Sequence, residues 1–406
     1  MKILQICHKI PFPPCDGGTI AMNNITQGLL RKGHYVRVLA METPKLRVRK
    51  NELFDEYVKK VKFESVFVDT SISFSAALKT VFQPHISYHV SRFYSKIFAN
   101  KLSEILKQES FDIIHLESIF TTPYLPIIRQ FSQAKVILRT HNVEHQIWKR
   151  VVKNESNIFK KLALKYLTKR LEKYECGLGK QIDAFASISS PDFHFFSKCF
   201  SSVPGKVIPF GIDLDQYPEN EEYIPSDIPE LFHVGSMNWL PNIEGIEWFL
   251  NEIWPEINAL YPEITFTIAG RDIPKRLISR KDNNLVIAGE VPSANDFMLS
   301  KDIMIVPLLS GSGIRVKIIE GMALGKTIIS TSIGAEGLDI ENGKHILIAN
   351  TPEEFVAAIT QCVHTPDLCA IIGENARNFV ALNFNNDLIT NELIGFYQQV
   401  LENENR

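Results

Sequence analysis

Short apolar runs bounded by glycine and polar residues alternate along the chain with stretches of helical spacing. Lys2 to Cys7 (KILQIC) reads as a buried strand, and the loop HKIPFPPCDGGT ends in Asp16, Gly17 and Gly18. Helical spacing then runs to Lys32, and YVRVLA at 35–40 is the next strand. SVFVD at 65–69, a helix from Ser87 to Gln108, FDIIHLE at 111–117, KVILRTH at 135–141 and AFASIS at 184–189 continue the pattern, the last closing a first sheet. A second set of strands follows: LFHVGS (231–236), TFTIAGR (265–271), LVIAGE (285–290), IMIVPL (303–308), TIIST (327–331) and ILIAN (346–350). From 352 onward the spacing is helical. Strand and helix in alternation predict an α/β protein with two doubly wound parallel sheets. The Pro, Glu and Asp content of 218–230 marks a boundary region, giving domains at 1–208 and 209–384.

Ser310 to Gly337 carries the densest chemistry. After the strand Ile303 to Leu308, Gly311, Ser312 and Gly313 break the chain, Arg315 to Leu324 have helical spacing, Gly325 sits where a helix ends, and Thr327 to Thr331 form the next strand. A helix starting at the carboxyl end of a parallel strand points its free N–H groups into the crevice where open α/β sheets bind ligands, and glycines let a phosphate approach. Arg315 and Lys317 suit a diphosphate there, and Glu320 suits a pair of ribose hydroxyls. An ordinary ion pair between Lys317 and Glu320 and a plain tight turn fit the same residues. The strand, Gly17–Gly18 turn and helix near the amino end repeat the arrangement. His141 ends a parallel strand and so belongs on a ligand rim, although a hydrogen-bonded structural histidine fits the same position.

Charge divides the chain. Residues 1–208 hold 32 Lys+Arg against 17 Asp+Glu (+15), leaving 12 against 29 (−17) for 209–406, within a net charge of −2. A basic half serves nucleic acid, an anionic membrane or an acidic substrate. The tract 145–180 favours the membrane and no nucleic acid. Lys149, Arg150, Lys153, Lys160, Lys161, Lys165, Lys169, Arg170, Lys173 and Lys180 interleave there with Trp148, Phe159, Leu162, Leu167, Leu171 and Tyr174. A solvated helical face is the plainer reading of that run. The six cysteines form no CxxC pair, which suits free thiols in a reducing compartment, and Cys362, His364 and Cys369 read as structural. The amino end has too short an apolar run for a signal peptide, and no 18-residue apolar run spans a membrane, so the expected location is the cytoplasm, with peripheral contact on the inner face of the membrane. Asp213 and Asp215 form a DxD triplet that reads as linker, and no metal site is expected.

The pattern G-x-G-x-R-x-K-x-x-E-G-M-A-x-G-K at 311–326, followed by TIIST and GAEG, resembles the donor-binding signature of glycosyltransferase family 4. The resemblance implies a retaining, metal-independent enzyme without cofactor and of GT-B fold, two Rossmann-like domains facing across a cleft. It implies a nucleotide-sugar donor, a glycan or lipid-linked acceptor, and a place in cell-surface polysaccharide or glycolipid synthesis. His141, Arg315 and Lys317 take the catalytic roles in that picture. The donor's surroundings are Gly17 and Gly18, Glu144 within RTHNVE, Ser236, Gly289 and Val291 at the base, the run Gly311, Ser312, Gly313 and Ile314 at the sugar, and Glu320 at the ribose. KVIPFGIDLDQY (206–217) resembles the family's interdomain segment, and 385–404 its terminal helix crossing back to the first domain. Two departures stand out: Ser312 replaces the first Glu of the family's Glu-x7-Glu, and Ser236 and Asn242 stand where members often carry Arg and Lys. A sugar-nucleotide epimerase of the same double fold and a non-catalytic nucleotide-sugar-binding protein remain alternatives.

Overall fold

The computed structural model describes residues 1–14, 16–44, 52–71, 87–218, 228–311 and 313–402. It divides into two units, Met1–Gly211 with Asn386–Arg406, and Ile212–Asn385. The boundary thus falls just after the expected 208/209 division, inside the segment 206–217, because Gly205–Val207 is still a strand of the first sheet.

In the first unit seven parallel strands run in the order β3-β2-β1-β4-β5-β6-β7. They are β1 (Lys2–Cys7), β2 (Tyr35–Glu42), β3 (Phe63–Phe67), β4 (Ile113–Glu117), β5 (Lys135–Thr140), β6 (Ala184–Ser187) and β7 (Gly205–Val207). Continuous apolar stretches such as Val136, Ile137 and Leu138 in β5, wholly buried, are what a parallel sheet covered on both faces requires. One core lies against Leu4, Ile6, Leu116 and Leu138, and the other against Ile3, Val36, Val38 and Ile137. The sheet does not close at AFASIS as the apolar pattern suggests; β7 pairs beyond it.

Three further local expectations are corrected. The helix read from Ser87 to Gln108 is two helices, Tyr88–Ser91 and Lys96–Gln108. The Tyr124 hydroxyl accepts the Ser95 N–H (2.9 Å) and donates to the Phe93 carbonyl (2.8 Å), so groups that would continue the helix are satisfied from outside it. The tract 145–180 is likewise two helices, Glu144–Asn154 and Ile158–Gly177, the second capped by Asn157, whose Oδ1 accepts the Lys160 N–H at 3.1 Å. Finally, Cys176 and Cys199 are joined as a disulfide, with Cα atoms 4.8 Å apart, whereas Cys7, Cys362 and Cys369 are free and buried. Pairing follows from where the two cysteines stand, at the ends of helices Ile158–Gly177 and Ser190–Cys199 that pack together.

The terminal helix Asn386–Glu402 belongs to this unit and lies against helix Gly17–Arg31. Gly28 permits the approach, since a Cβ there would come within 2.1 Å of Thr390 Oγ1. Asn386 Nδ2 donates to the Asn24 carbonyl at 2.8 Å across the same seam.

The second unit holds six parallel strands in the order β10-β9-β8-β11-β12-β13. All six expected strands form: β8 (Leu231–Val234), β9 (Phe266–Ala269), β10 (Leu285–Gly289), β11 (Ile303–Val306), β12 (Thr327–Ser330) and β13 (Leu347–Ile348). Trp254, Phe249, Phe266 and Phe355 fill the core on one face. No single helix among the described residues is long and apolar enough to cross a membrane. Helices Pro352–His364 and Pro366–Asn383 pass that test only as a pair bent by 105°, and they bury Phe355, Ile359 and Ile372 in this unit's core. Each sheet reverses its strand order at one place, between β1 and β4 and between β8 and β11, and ligands of open α/β sheets bind beyond the carboxyl ends of such strands.

Candidate functional site

In the second unit, the loop after β11 leads into helix Val316–Ala323 beside the point of reversal. Arg315 precedes the helix; among the described residues no side chain caps it, and its first turn holds no acidic residue, so its positive dipole end favours an anion. The Arg315 side chain is almost wholly buried; its guanidinium lies over the Trp239 indole, 5.3 Å from the ring centre, and donates to the Gly313 carbonyl. Gly311 has φ +114°, and a Cβ there would come within 3.0 Å of both Arg315 Nη2 and Trp239. Glycine at 311 is thus demanded by backbone conformation and by the stack beneath it.

Lys317 points back toward β8. Its Nζ donates to Asn242 Oδ1 (2.8 Å) and lies 3.3 Å from His233 Nε2. His233 Nδ1 is 2.7 Å from the Ile305 carbonyl, which makes Nδ1 the protonated nitrogen and Nε2 an acceptor for the lysine. Burial, then the neighbouring Arg315, push the Lys317 amine down to about 7. Asn242 also donates to the Ser236 carbonyl at 2.8 Å. Asn242, part of the second departure from the family pattern, therefore holds the Lys317 amine in place. Glu320, one turn along the helix from Lys317, accepts the Tyr217 hydroxyl at 2.9 Å, and burial raises its carboxyl. No Lys317–Glu320 ion pair forms among the described residues; each side chain has the other partners just given.

Ser236, Gly313, Ile314, Arg315, Lys317 and Glu320 thus gather around one helix start and the adjoining end of β8. Gly289 (φ +73°) and the half-buried Val291 lie on the same carboxyl edge, at the end of the outer strand β10. Ser312 lies outside the described residues. Trp239, His233 and Tyr217 escaped the sequence reading; an aromatic just after β8 was the one visible signal.

In the first unit His141 follows β5 and Glu117 ends β4, where Glu117 is in register with Arg139, two residues before His141. His141 Nε2 stands 2.6 Å from Glu117 Oε2. Glu117 has no solvent exposure; Gln5 Nε2 donates to its Oε1 at 2.8 Å, His115 Nε2 lies 3.2 Å away, and Arg139 Nη1 3.9 Å away. Burial alone would raise this carboxyl, but His115, Arg139 and His141 together hold it well below the usual carboxylate range. His8, following β1, sets its ring edge-on to His141 at 5.8 Å. None of Glu117, His115, His8 and Gln5 was singled out in the sequence, although Glu117 meets the criterion that singled out His141.

Gly17 and Gly18 open helix Gly17–Arg31. Asp16 caps it by accepting the Thr19 N–H at 2.9 Å, and Lys9 Nζ bonds Asp16 at 2.6 Å while lying over Gly18. Glu144 starts the helix after His141, and the buried Glu175 carboxylate accepts its main-chain N–H at 2.8 Å. Burial, with Glu175 nearby, pushes the Glu144 carboxyl up to about 8. Among the described residues no cluster of His, Cys, Asp or Glu is arranged to hold a metal ion.

Two parallel-sheet α/β domains, each with its strand reversal at one place, are the architecture shared with GT-B glycosyltransferases. The pattern described as Glycosyltransferase Family 4 matches residues 16–216 and that described as Glycosyl transferases group 1 matches 228–365, and the chain belongs to these families. An uncharacterized 44.6 kDa protein in the cps region of Klebsiella pneumoniae is 23% identical over 392 residues, covering 94% of this chain and 96% of that protein. The same fold recurs in the structure of Anabaena HepE in complex with UDP (TM-score 0.65, 14% identity, 98% and 100% coverage). It recurs also in WaaG, a glycosyltransferase involved in lipopolysaccharide biosynthesis (TM-score 0.64, 15% identity, 95% and 98% coverage).

Proposed function

We propose that the protein is a retaining glycosyltransferase that moves a sugar from a nucleoside-diphosphate sugar to a glycan or lipid-linked acceptor in cell-surface polysaccharide or glycolipid synthesis. The observation that carries this is the uncapped start of helix Val316–Ala323 with Arg315 and Lys317 beside it. As the bond from the anomeric carbon to the diphosphate oxygen breaks, the electron pair leaves with the diphosphate, and preoriented N–H groups and cations stabilise that charge without a metal or cofactor. The acceptor oxygen bonds to the anomeric carbon and its proton passes to the departing diphosphate oxygen. His141 meets the transferred sugar. The UDP bound by HepE, the cps location of the Klebsiella relative and the role of WaaG support the substrate class.

The test is to incubate the protein with a panel of nucleotide sugars, with and without acceptor membranes, and to read the anomeric configuration of the product. Thermal shift with nucleoside diphosphates selects the panel, because a ligand stabilises by about RT ln(1 + [L]/Kd). Conversion to a new nucleotide sugar without acceptor would establish an epimerase instead, and donor binding without turnover a binding protein.

Glu320 is assigned to the ribose, remote from the breaking bond. Glu320→Ala should weaken donor and free nucleotide alike, whereas a 2′,3′-dideoxy nucleotide should bind both proteins equally in a calorimetric titration. An analogue that still distinguished the two proteins would withdraw the ribose assignment.

The protein works at the inner face of the membrane. Its helix Ile158–Gly177 exposes Phe159 (82%), Ile158 (60%) and Leu162 (58%) among the exposed Lys160 and Lys165, whereas Leu171 is buried and Trp148 and Tyr174 pack on the core. Each basic residue near an anionic surface contributes on the order of 1 kcal/mol, screened by salt over about 8 Å. Co-sedimentation with anionic but not neutral vesicles, lost on raising salt, is the expected result. Equal binding to both vesicle types would contradict it.

A further inference from the structure

Beneath His141 lies a buried polar chain that begins on the last helix of the protein. Tyr397, on helix Asn386–Glu402 and without solvent exposure, has its hydroxyl 2.5 Å from His115 Nδ1. His115 Nε2 reaches Glu117 Oε1 at 3.2 Å, and Glu117 Oε2 reaches His141 Nε2 at 2.6 Å. A carboxylate only accepts hydrogen bonds, so every partner facing it must bring a hydrogen. Gln5 does so with its amide, whereas His115 Nε2, 3.2 Å from Oε1, makes no aligned hydrogen bond there and His115 pairs through Nδ1 with the Tyr397 hydroxyl. His141 must carry its hydrogen on Nε2. In the other tautomer a nitrogen lone pair would face the carboxylate at 2.6 Å. Arg139, as buried as Glu117, supplies the counter-charge from 3.9 Å and is itself held by the Ala21 and Pro209 carbonyls at 3.4 and 3.1 Å.

We propose that Glu117 is the positioning residue of the first unit: it fixes His141 as the Nε2–H tautomer, so that Nδ1 is offered as a hydrogen-bond acceptor to a hydroxyl of the transferred sugar. The proposal rests on the reading of His141 as the group that meets the sugar. Nδ1 makes no hydrogen bond among the described residues, whereas Nε2 is fully committed. The groups facing the ring agree with a neutral imidazole. Burial, Arg139 and Lys9 oppose its protonation, and only Glu117 favours it, with a net lowering. Lys9 is engaged by Asp16, and His8 is pushed down to about 3 by burial and by Lys9 and His141. Ser118, directly after Glu117, has φ +79°, and its N–H donates to the Arg139 carbonyl at 2.9 Å. The turn that follows the carboxylate is therefore held to the strand that ends at His141.

The direct test is a long-range proton–nitrogen correlation spectrum of the full-length protein labelled with 15N-histidine, near neutral pH, with His141 assigned from His141→Gln. The expected signature is a protonated Nε2 and an unprotonated Nδ1. In Glu117→Gln the carboxamide can turn its NH2 toward His141, so the spectrum should move toward the Nδ1–H form. Turnover should fall roughly ten- to a hundredfold with KM for the nucleotide sugar little changed, the cost of losing a charge-assisted hydrogen bond. A wild-type His141 that is Nδ1-protonated, or doubly protonated, overturns the proposal, and that spectrum decides even where the variant does not fold. A spectrum unchanged by Glu117→Gln overturns it as well. Because the spectrum needs no substrate, it fails separately from the sugar reading, which falls if His141→Ala leaves turnover intact.

Discussion

His141→Ala is expected to lower glycosyl transfer by roughly a hundredfold or more while the affinity for a free nucleoside diphosphate stays nearly unchanged. The imidazole stands at the carboxyl end of β5 with one nitrogen committed to Glu117, so its remaining nitrogen can accept a hydrogen bond from a sugar hydroxyl and orient the sugar. The groups assigned to the diphosphate, Arg315 and Lys317, lie on the other unit and are untouched by the change. Truncation removes a hydrogen-bonded partner from Glu117, whose other partners, Gln5, His115 and Arg139, remain. The fold should therefore survive, and a melting curve beside the kinetics checks this. A variant that unfolds or loses nucleotide binding would show the histidine to be structural.

Arg315→Ala is expected to cut turnover by roughly ten- to a hundredfold, and by more than it weakens donor binding, a charge-assisted hydrogen bond being worth about 1.5–3 kcal/mol. Negative charge on the diphosphate grows as the bond to the sugar breaks, so a cation placed there contributes more in the transition state than in the ground state. The same logic gives Lys317 a dependence on pH. With its amine pushed down to about 7, Lys317 is charged below that value and loses its charge above it. A bound diphosphate favours the charged form and must raise the value, so binding above pH 7 takes up a proton. Affinity for a nucleotide sugar, whose phosphates do not titrate in this range, should be flat below about pH 7 and fall up to roughly tenfold per pH unit above it. Lys317→Met should abolish the slope. Titrations showing one affinity from about pH 7 to 9 would mean that the lysine keeps its charge throughout.

Much of this protein can be read along the chain because its elements report their own surroundings. Parallel strands buried on both faces must be continuously apolar, so the central strands of the second unit appear as runs such as IMIV and TIIS, whereas the edge strand Leu285–Gly289 is apolar although only partly buried. A glycine loop between strand and helix, with Arg315, Lys317 and Glu320 at helical spacing after it, is likewise local. His141 is legible as a polar residue ending an apolar strand.

Tertiary structure alone decides what those side chains touch. Gln5 and Glu117 lie 112 residues apart and His115 and Tyr397 282 apart, and no local periodicity encodes their meeting. Trp239 reads as a loop aromatic until the fold lays Arg315 over it. Tyr124 breaks a helix some thirty positions before it, by satisfying the main chain at Phe93 and Ser95 from a neighbouring element. The basic tract 145–180 divides its apolar residues in the same way: Leu171 goes to the core and Phe159 to the solvent, a choice set by which face of each helix the sheet covers. Spacing along the chain fixes which backbone an element adopts, because that depends on burial averaged over a strand or a turn. Which groups share a proton or a charge depends on angstrom-scale distances between elements, and these exist only once both sheets have formed.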